Sequence, residues 1–305
     1  MTLTCIVLLA VVLDRCLGEA DNACHPLVAF GRWASQLDTR YFRPQGTPVR
    51  QKIIGCMALL AALLISLIGL TGLLLPTVLQ PLFDILVLYF CIGAHSLKQH
   101  ALAIHQALMQ QDLTLARQRV GCIVSRQTDS MDLQSVQRAA IESVLENGAD
   151  AIFAPLFWFV LLGPVGALLY RLTNTLDAMW GYKTPRYLNY GWAAARLDDG
   201  MNCLPARLTA LSYALLSETG AALKAWQQQA SWLESPNAGP VMTAGAGGLG
   251  LKLGGPACYH GQIKLKPWFG GERLPQNQDI CLACRLVERT LLLWLALIAL
   301  VDSFA

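Results

Sequence analysis

The feature that most constrains this chain is an apolar run over residues 53–75 that contains no Asp, Glu, Lys or Arg. An α-helix rises about 1.5 Å per residue, so this run is long enough to cross a hydrocarbon core of about 30 Å. A second apolar run extends from the turn at residues 76–81 to about residue 97, and only Asp84 interrupts it. The two runs predict a membrane protein.

The composition supports this interpretation. Hydrophobic residues make up 54% of the 305-residue chain and charged residues only 14%, whereas soluble domains carry about a quarter charged residues. The net charge of +3 is small and dispersed, which argues against nucleic-acid binding and favours basic residues that mark the cytoplasmic side of a membrane. The ten cysteines form no disulfide framework, and the pair Cys281 and Cys284 lacks the further ligands that a zinc site needs.

Helical patterns dominate the rest of the chain. Shorter apolar runs at residues 3–13 and 290–301 predict a retained membrane helix and a C-terminal anchor. Residues 132–147 predict a helix with Asp132 as its N-cap and Gly148 as its stop, and residues 208–216 and 221–233 predict two more. Because strand alternation is nearly absent, we expect an all-α, polytopic integral membrane protein with about four or five membrane helices.

Residues 151–170 predict a re-entrant or broken segment in addition to those helices. The segment is uncharged and of spanning length, but it contains Pro155, Gly163, Pro164 and Gly166, and broken segments at membrane depth are tolerated where they line a protein cavity. Residues 14–52 contain six Lys or Arg, and residues 98–150 and 171–207 contain five each. A true crossing at 151–170 would place the last basic stretch outside, against the positive-inside tendency.

We therefore predict one membrane-embedded domain over residues 1–305. Residues 98–150 would be a cytoplasmic helical segment, residues 171–207 a polar motif segment, and residues 234–283 a Gly-, Pro- and Asn-rich loop region. The glycine cluster at residues 245–250 fits G-x-G-x-x-G, but no strand precedes it, so a dinucleotide-binding fold fails the context test. A phosphate-cradling turn remains open there, and a flexible connector is favoured.

Two groups of polar residues could carry chemistry. Arg138, Glu142, Glu146 and Asp150 recur every four residues and so share one helix face, which would suit Mg²⁺. A solvated acidic face explains the same pattern, and the residues alone do not decide between the two. Residues 170–207 are unusually rich in Asn, Asp, Arg and Tyr for so apolar a chain, although surface salt bridges of a cytoplasmic loop would account for them too.

The order of these motifs resembles the membrane-bound adenosylcobinamide-phosphate synthase family along nearly the whole chain. The matching landmarks, in chain order, are Leu13-Asp14-Arg15, Leu17-Gly18-Glu19, His25-Pro26, Val124-Ser125-Arg126 with Thr128, Arg138 to Glu142, Glu146-Asn147, Asp150, Ala154-Pro155 with Trp158, Tyr170-Arg171, Asn174, Asp177, Gly181-Tyr182, Gly191-Trp192, Ala195-Arg196, Asp198-Asp199, Asn202, Pro205-Ala206-Arg207, Ser235-Pro236-Asn237-Ala238-Gly239 and Leu253-Gly254-Gly255-Pro256. Each landmark is weak alone, and their shared order and spacing make the resemblance strong.

The resemblance implies an ATP-dependent amide ligation in cobalamin biosynthesis. ATP would activate a propionate of adenosylcobyric acid, a corrinoid, and the amine of (R)-1-aminopropan-2-ol or its phosphate would attack the acyl phosphate. ATP and Mg²⁺ would be the cofactors, and the enzyme would lie in the bacterial inner membrane, in contact with lipid, with its active site on the cytoplasmic side. The oligomeric state, a homo-oligomer included, is left open.

The resemblance also suggests roles for individual residues. Metal or acid–base work would fall to the acids Glu142, Glu146, Asp150, Asp177, Asp198 and Asp199, with Glu146, Asp150 and Asp177 as metal ligands. Phosphates or propionates would be held by Arg126, Arg171, Arg196 and Arg207. The substrate would be oriented by Asn147, Asn174, Asn202 and Asn237.

Two departures from the family pattern stand out. Gln127 occupies a position where the family usually has Asp, and Met242 occupies one where it usually has Glu. If either acid is catalytic, the protein would be slow, altered in substrate or inactive. The alternative function is a non-enzymatic membrane regulator, similar to sensor-like proteins linked to beta-lactamase regulation. That alternative explains the two lost acids but not the retained Asn147, Asp177 and Asp198.

Overall fold

The computed structural model describes residues 1–19, 25–42, 46–259 and 261–304. Helices account for most of this part of the chain, which confirms the predicted all-α class. The helices are α1 (Leu3–Leu17), α2 (Pro26–Tyr41), α3 (Pro48–Leu63), α4 (Ile68–Thr71), α5 (Gln80–Cys91), α6 (Ala94–Met109), α7 (Leu113–Gly121), α8 (Leu133–Gly148), α9 (Ala154–Trp180), α10 (Tyr187–Tyr190), α11 (Trp192–Leu215), α12 (Thr219–Gln229), α13 (Ala238–Gly248) and α14 (Asn277–Asp302).

Four short strands form two antiparallel pairs. They are β1 (Lys252–Gly254), β2 (Ala257–Tyr259), β3 (Gln262–Lys264) and β4 (Trp268–Gly270). Strand β1 pairs with β4, and β2 pairs with β3.

Three helical stretches in the described chain are long and apolar enough to cross a bilayer: Pro48–Leu67, Gln80–Met109 and Leu133–Trp180. The membrane character is therefore confirmed, but this number is smaller than the four or five helices predicted. The N-terminal helix α1 has only 15 residues. The C-terminal helix α14 is longer, with 26 residues, but its first half carries Asp279, Arg285, Glu288 and Arg289.

The described chain separates into two compact units where the sequence suggested one domain. Unit 1 comprises residues 1–93, 154–202 and 298–305, and unit 2 comprises residues 94–153 and 203–297. Both units are discontinuous in sequence, so each is completed by segments that are far apart along the chain.

In unit 1, helix α9 reverses direction at Gly163. This glycine has φ 62° and ψ −152°, and Pro164 follows it. Backbone with positive φ is adopted readily by glycine and at a cost by other residues. Three residues later, a Cβ at Gly166 would overlap the carbonyl oxygen of Trp158. Residues eight apart in a straight helix are about 12 Å apart, so this contact shows that the two arms fold back on each other.

Both arms of the hairpin are fastened to one turn of α11. Trp158, on the first arm, donates its indole N–H to the carbonyl of Met201 at 3.1 Å. Tyr170, on the second arm, donates its hydroxyl to Oδ1 of Asn202 at 2.9 Å. Ala154, Tyr170 and Met201 form one buried cluster. The predicted break in residues 151–170 is thus confirmed as a helical hairpin, and the side of the membrane that it faces stays a prediction.

In unit 2, helix α8 begins as predicted and ends differently. The Asp132 carboxylate accepts a hydrogen bond from the backbone N–H of Ser135 at 2.7 Å, which confirms the N-cap. Gly148 does not stop the helix, because a π-helical segment continues it over Ala149–Phe153. A Cβ at Gly148 would come within 2.5 Å of the Tyr213 hydroxyl. That hydroxyl donates to the carbonyl of Leu145 at 3.1 Å. Because Gly148 has no side chain, Tyr213 of α11 can pack against α8.

The prediction of a loop region over residues 234–283 is wrong for much of its length. The glycine cluster lies in helix α13, and its residues are largely buried, so it is not a flexible connector. A Cβ at Gly247 would come within 2.5 Å of the Ala225 side chain of α12, and one at Gly245 within 2.8 Å of Leu145. Glycine has a low helix propensity, but its small size permits the close packing that buries this helix.

The ends of the first and last helices meet within unit 1. The backbone N–H of Thr4 donates to the Asp302 carboxylate at 3.0 Å. The first-turn N–H groups of a helix have no partner inside the helix. Asp302, at the end of α14, therefore supplies an acceptor to the exposed start of α1.

We expect Gly166→Ala to destabilise the protein by about 1–3 kcal/mol, because the added methyl group must displace the Trp158 carbonyl in a packed hairpin. Thermal unfolding of the detergent-solubilised protein measures the effect. Gly200→Ala is the matched control, since nothing lies within 4 Å of a Cβ at Gly200 in α11. Equal melting temperatures for the two variants would contradict the close approach at Gly166.

Candidate functional site

A hydrogen-bonded polar network lies in unit 1, between α9 and α11. The carboxylate of Asp198, which is buried, accepts one bond from the Asn174 amide at 3.3 Å and another from the Asn202 amide at 3.0 Å. Asn202 in turn accepts the Tyr170 hydroxyl, and Nη1 of Arg171 lies 3.5 Å from Oδ1 of Asn174. The network therefore connects five side chains, of which the sequence predicted all but Tyr170.

The environment of Asp198 disfavours its charged form. Burial raises the pKa of this carboxyl above its usual value of 3.8, the bonds from Asn202 and Asn174 lower it in part, and the charge of Asp199 raises it further. Burial removes the hydration of a carboxylate, while amide donors replace some of it. Because each of its two oxygens accepts from a different amide, Asp198 orients Asn174 and Asn202.

Arg171 retains unused donor capacity in this network. Its Nε is buried and has no hydrogen-bond partner, although buried donors are almost always paired. Guanidinium groups bind carboxylates and phosphates through two parallel bonds. This side chain is therefore the member of the network best suited to hold an anionic substrate group.

His25 is a site residue that the candidate set omitted. Burial lowers the pKa of its imidazole, nearby Glu19 raises it, and nearby Arg171 lowers it further. Its Nδ1 accepts the backbone N–H of Leu27 at 3.2 Å, so the neutral ring carries its proton on Nε2 and is a donor. The only sequence signal was the landmark His25-Pro26, which showed no chemistry by itself.

Asp177 and Asp199 complete the acidic part of this site. Asp177 lies one turn after Asn174 on α9, close enough to Asp198 and Asp199 for their charges to act on it. A Cβ at Gly181 would overlap Oδ1 of Asp177, so the glycine leaves room for this carboxylate. Asp199 pairs with Arg196 at 3.3 Å, and the Arg196 side chain is 62% exposed. Arg196 is thus the most solvent-exposed of the candidate arginines in unit 1.

In unit 2, both carboxylate oxygens of Glu142 are already engaged. One oxygen forms an ion pair with Nη2 of Arg126, and the two side chains are largely buried. The other oxygen accepts the backbone N–H of Gly254 at 2.7 Å. A carboxylate with these partners joins helix α8 to strand β1, so its geometry fits a positioning role better than the metal or acid–base role that the sequence suggested.

The next acids on α8 differ from Glu142 in their surroundings. Glu146 lies within electrostatic reach of Glu142, Arg126 and Lys266. Asp150 lies in the π-helical segment, and its charge, together with the larger effect of burial, raises the pKa of the Tyr213 hydroxyl. Of these two acids, Glu146 is therefore the one with cations nearby, whereas Asp150 is close to a buried phenol.

The amides of unit 2 have defined partners. The Asn147 amide donates to the carbonyl and the hydroxyl of Ser143, both at 2.9 Å. Oδ1 of Asn237 accepts from Arg207 at 3.1 Å, and Ser235 accepts the backbone N–H of Ala238 at 3.1 Å. The motif from Ser235 to Gly239 thus begins helix α13 and fixes Arg207, which also donates to the Cys203 carbonyl.

Within the described ranges, no group of three or more His, Cys, Asp and Glu side chains is close enough to hold a metal ion. Mg²⁺ commonly binds through one or two carboxylates, waters and substrate phosphates. The described acids therefore fit a metal that arrives with a phosphorylated substrate rather than one enclosed by protein ligands alone.

Comparison with known proteins decides the family. A family model described as CobD/Cbib protein matches residues 7–287. A cobalamin biosynthesis protein CobD from Chromobacterium violaceum is 52% identical over 296 residues, which cover 95% of this chain and 93% of the relative. The chain belongs to the CobD/Cbib family.

Other relatives carry the same name. The cobalamin biosynthesis protein CobD of Stutzerimonas stutzeri is 50% identical over 94% of this chain and 93% of its own length. That of Mycobacterium tuberculosis is 35% identical over 90% of this chain and 88% of its own. No solved structure matches the chain. The resemblance drawn from the motif order is thereby confirmed.

Both departures from the CobD/Cbib pattern lie in unit 2. The backbone N–H of Gln127 donates to the Cys258 carbonyl at 2.9 Å, and its side chain lies 3.5 Å from the Cys258 sulfur. Met242 lies in α13 and is partly buried. Neither position belongs to the Asp198 network of unit 1.

We expect Glu142→Gln to lower the free energy of unfolding by about 3–5 kcal/mol, because it leaves Arg126 buried without a counter-charge. Chemical denaturation followed by tryptophan fluorescence measures the loss. Glu288→Gln is the control: its partner Lys98 is about half exposed, and exposed pairs contribute less than about 1 kcal/mol. A small loss for Glu142→Gln would return this residue to the metal or acid–base candidates.

We expect Asp198→Asn to remove part of the pH dependence of stability. Since the folded pKa of Asp198 lies above 3.8, the stability that this carboxyl contributes falls as the pH rises from about 4 through the folded pKa. Melting temperatures in detergent between about pH 4 and pH 8 measure the slope, and the exposed Asp129→Asn is the control. Identical slopes for the wild type and Asp198→Asn would contradict a raised pKa.

Proposed function

We propose that this chain joins the carboxylate of adenosylcobyric acid to the amine of (R)-1-aminopropan-2-ol, or of its phosphate, in an ATP-dependent amide ligation. Its membership of the CobD/Cbib family, whose relatives are named for cobalamin biosynthesis, supports the pathway. The observation that carries the reaction type is the Asp198 network, which fixes Arg171 and Asn174 beside Asp177.

The reaction needs a group that holds an anion, and Arg171 is suited to it. The corrinoid carboxylate would attack the γ-phosphorus of ATP, which forms an acyl phosphate and releases ADP. Arg171 would bind the carboxylate and then offset the charge that builds up on the acyl phosphate. Its buried Nε without a partner supports this role, because an incoming anion would satisfy it.

The second step needs a proton acceptor, and we assign it to Asp177. The amine would attack the acyl carbon, the C–O bond to phosphate would break, and inorganic phosphate would leave. The nitrogen loses a proton as the amide forms, and a carboxylate beside it can take that proton as a general base. Asp177 has no hydrogen-bonded role inside the Asp198 network, whereas Asp198 accepts from two amides and would act as a positioning residue.

Mg²⁺, when bound with the nucleotide, supplies charge that screens the phosphates. Asp199 is the carboxylate of unit 1 that would share it with phosphate oxygens, since Asp177 is assigned as the base, and Glu146 would be the alternative in unit 2. His25, neutral and with its proton on Nε2, would donate a hydrogen bond near Arg171 without adding positive charge.

The test is a mass measurement on the corrinoid. The detergent-purified protein is mixed with ATP, Mg²⁺, adenosylcobyric acid and each form of aminopropanol. We expect a mass gain that matches amide formation, and a fall in turnover of roughly 100-fold or more in Asp177→Asn, because general bases contribute about that much.

The surface variant Glu272→Gln is the control and should turn over like the wild type. No mass gain beside an active family member assayed in parallel would overturn the proposal. Full turnover in Asp177→Asn would overturn the assignment of the base while leaving the ligase reaction in place.

A further inference from the structure

Trp268 and the strand pair β1–β4 that carries it, here called the tryptophan platform, lie in unit 2 and have no role in the Asp198 network. Strand β4 alternates, so that Phe269 is buried and Trp268, 39% exposed, points the other way. Trp268 lies opposite Gly254 in the register of β1 and β4, and Lys252 lies opposite Gly270. Lys252 and Trp268 are therefore diagonal neighbours on one face of this strand pair.

Glycines and Glu142 fix the position of the platform. Gly254 and Gly255 have φ of 81° and 82°, and a Cβ on Gly255 would come within 2.5 Å of the Trp268 ring. The ring therefore lies directly against the backbone, where no other side chain would fit. Glu142 holds the N–H of Gly254, which ties the platform to helix α8.

Two cations converge on this ring. The guanidinium of Arg138, one helical turn before Glu142, lies 5.0 Å from the centre of the Trp268 ring. The ammonium of Lys252 lies 5.0 Å from the same centre. Both distances fall in the range of cation–π contacts, but two positive charges held on one ring also repel each other.

Burial of the Arg138 charge raises the free energy of this arrangement unless an anion binds there. The residue is only 9% exposed, and it donates a hydrogen bond to the Ser135 hydroxyl at 2.9 Å. Within the described chain, no carboxylate lies within ion-pair distance of Arg138 or Lys252. Asp132 and Glu142 act on the Arg138 charge from a greater distance, so what Arg138 and Lys252 lack is a directly paired anion, which buried charges normally have.

The neighbouring charges leave the surface positive. Arg126 is neutralised by Glu142, Lys264 by Glu234 and Arg273 by Asp279. Lys266, two residues before Trp268, bonds to the Tyr259 hydroxyl at 2.6 Å and lies over its ring. Its ammonium also has no ion pair in the described ranges. Three cations thus remain without an ion pair, Arg138, Lys252 and Lys266, and Glu146 is the acid whose charge acts on Lys266.

We propose that Trp268, Arg138, Lys252 and Lys266 form a binding surface for the polyphosphate of a nucleoside triphosphate. Three cations match the multiple negative charges of a triphosphate, and lysine and arginine are the side chains that bind phosphate. Identifying the ligand as ATP rests on the proposed function. Because the cations already cover the Trp268 ring, the surface recognises phosphate charge rather than the base.

The test is calorimetric titration of the detergent-purified full chain with inorganic tripolyphosphate, MgATP and MgGTP. We expect all three to bind, ATP and GTP with similar affinity, and tripolyphosphate to compete with ATP. Lys252→Met and Arg138→Met should each raise the Kd about tenfold or more, because a charge-assisted bond to phosphate is lost.

Lys264→Met is the matched control, since Lys264 is an exposed lysine on the neighbouring strand pair and is paired with Glu234. It should bind as the wild type does. An unchanged Kd in Lys252→Met, or an equal loss in Lys264→Met, would overturn the proposal. Lys252→Met keeps the test decisive if Arg138→Met fails to fold, which melting temperatures report.

Two further measurements distinguish nucleotide binding from lipid binding, and failure of the binding surface from failure of the proposed function. If nanodiscs of phosphatidylglycerol abolish tripolyphosphate binding and those of phosphatidylcholine do not, the surface binds lipid headgroups and the nucleotide proposal is overturned. If amide ligation is absent but tripolyphosphate binding depends on Lys252, the binding surface stands and the proposed function fails. If ligation occurs and Lys252→Met binds normally, the binding surface alone fails.

Discussion

The close approach of Gly166 to the carbonyl of Trp158 is the contact on which the geometry of unit 1 depends. It allows two helical arms to lie side by side where a straight helix would carry them apart. Because the arms return on each other, Trp158 and Tyr170 both reach the same turn of α11. That turn contains Asn202, so the polar network around Asp198 is a direct product of the reversal.

In unit 2, the buried Glu142 likewise holds two elements together, helix α8 and strand β1. The carboxylate of Glu142 loses its hydrating water on burial. The Arg126 guanidinium and the Gly254 backbone N–H replace that water with fixed bonds. This arrangement links helix α8 to strand β1 through directional bonds. The family landmarks around Arg138 and Gly254 gain a common explanation, since they form the two sides of this junction.

The sequence predicted those features that depend on local chemistry. Gly163 and Pro164 predicted the break in α9, and Asp132 predicted a helix start, because each acts on the backbone close to it in sequence. The partnership of Asn174 with Asp198 was not accessible in the same way, since no local pattern shows which helices pack together. The motif order suggested both residues without showing that they touch.

The glycine-rich segment shows why the rest was missed. Gly245, Gly247 and Gly248 lower helix propensity, so a local interpretation favours a loop. Burial against α12 and α8 reverses this preference, and burial is a property of the folded chain. The partners of Glu142 were not accessible for a similar reason, because a free acid and a paired acid look the same in a sequence.

The bond between Thr4 and Asp302 has a consequence for biosynthesis. Its two ends are separated by 298 positions, and unit 1 is assembled from three stretches of which the last begins at residue 298. A ribosome releases the N-terminal helix long before the segment that caps it exists. Unit 1 can therefore be complete only after the ribosome has synthesised the stretch that begins at residue 298.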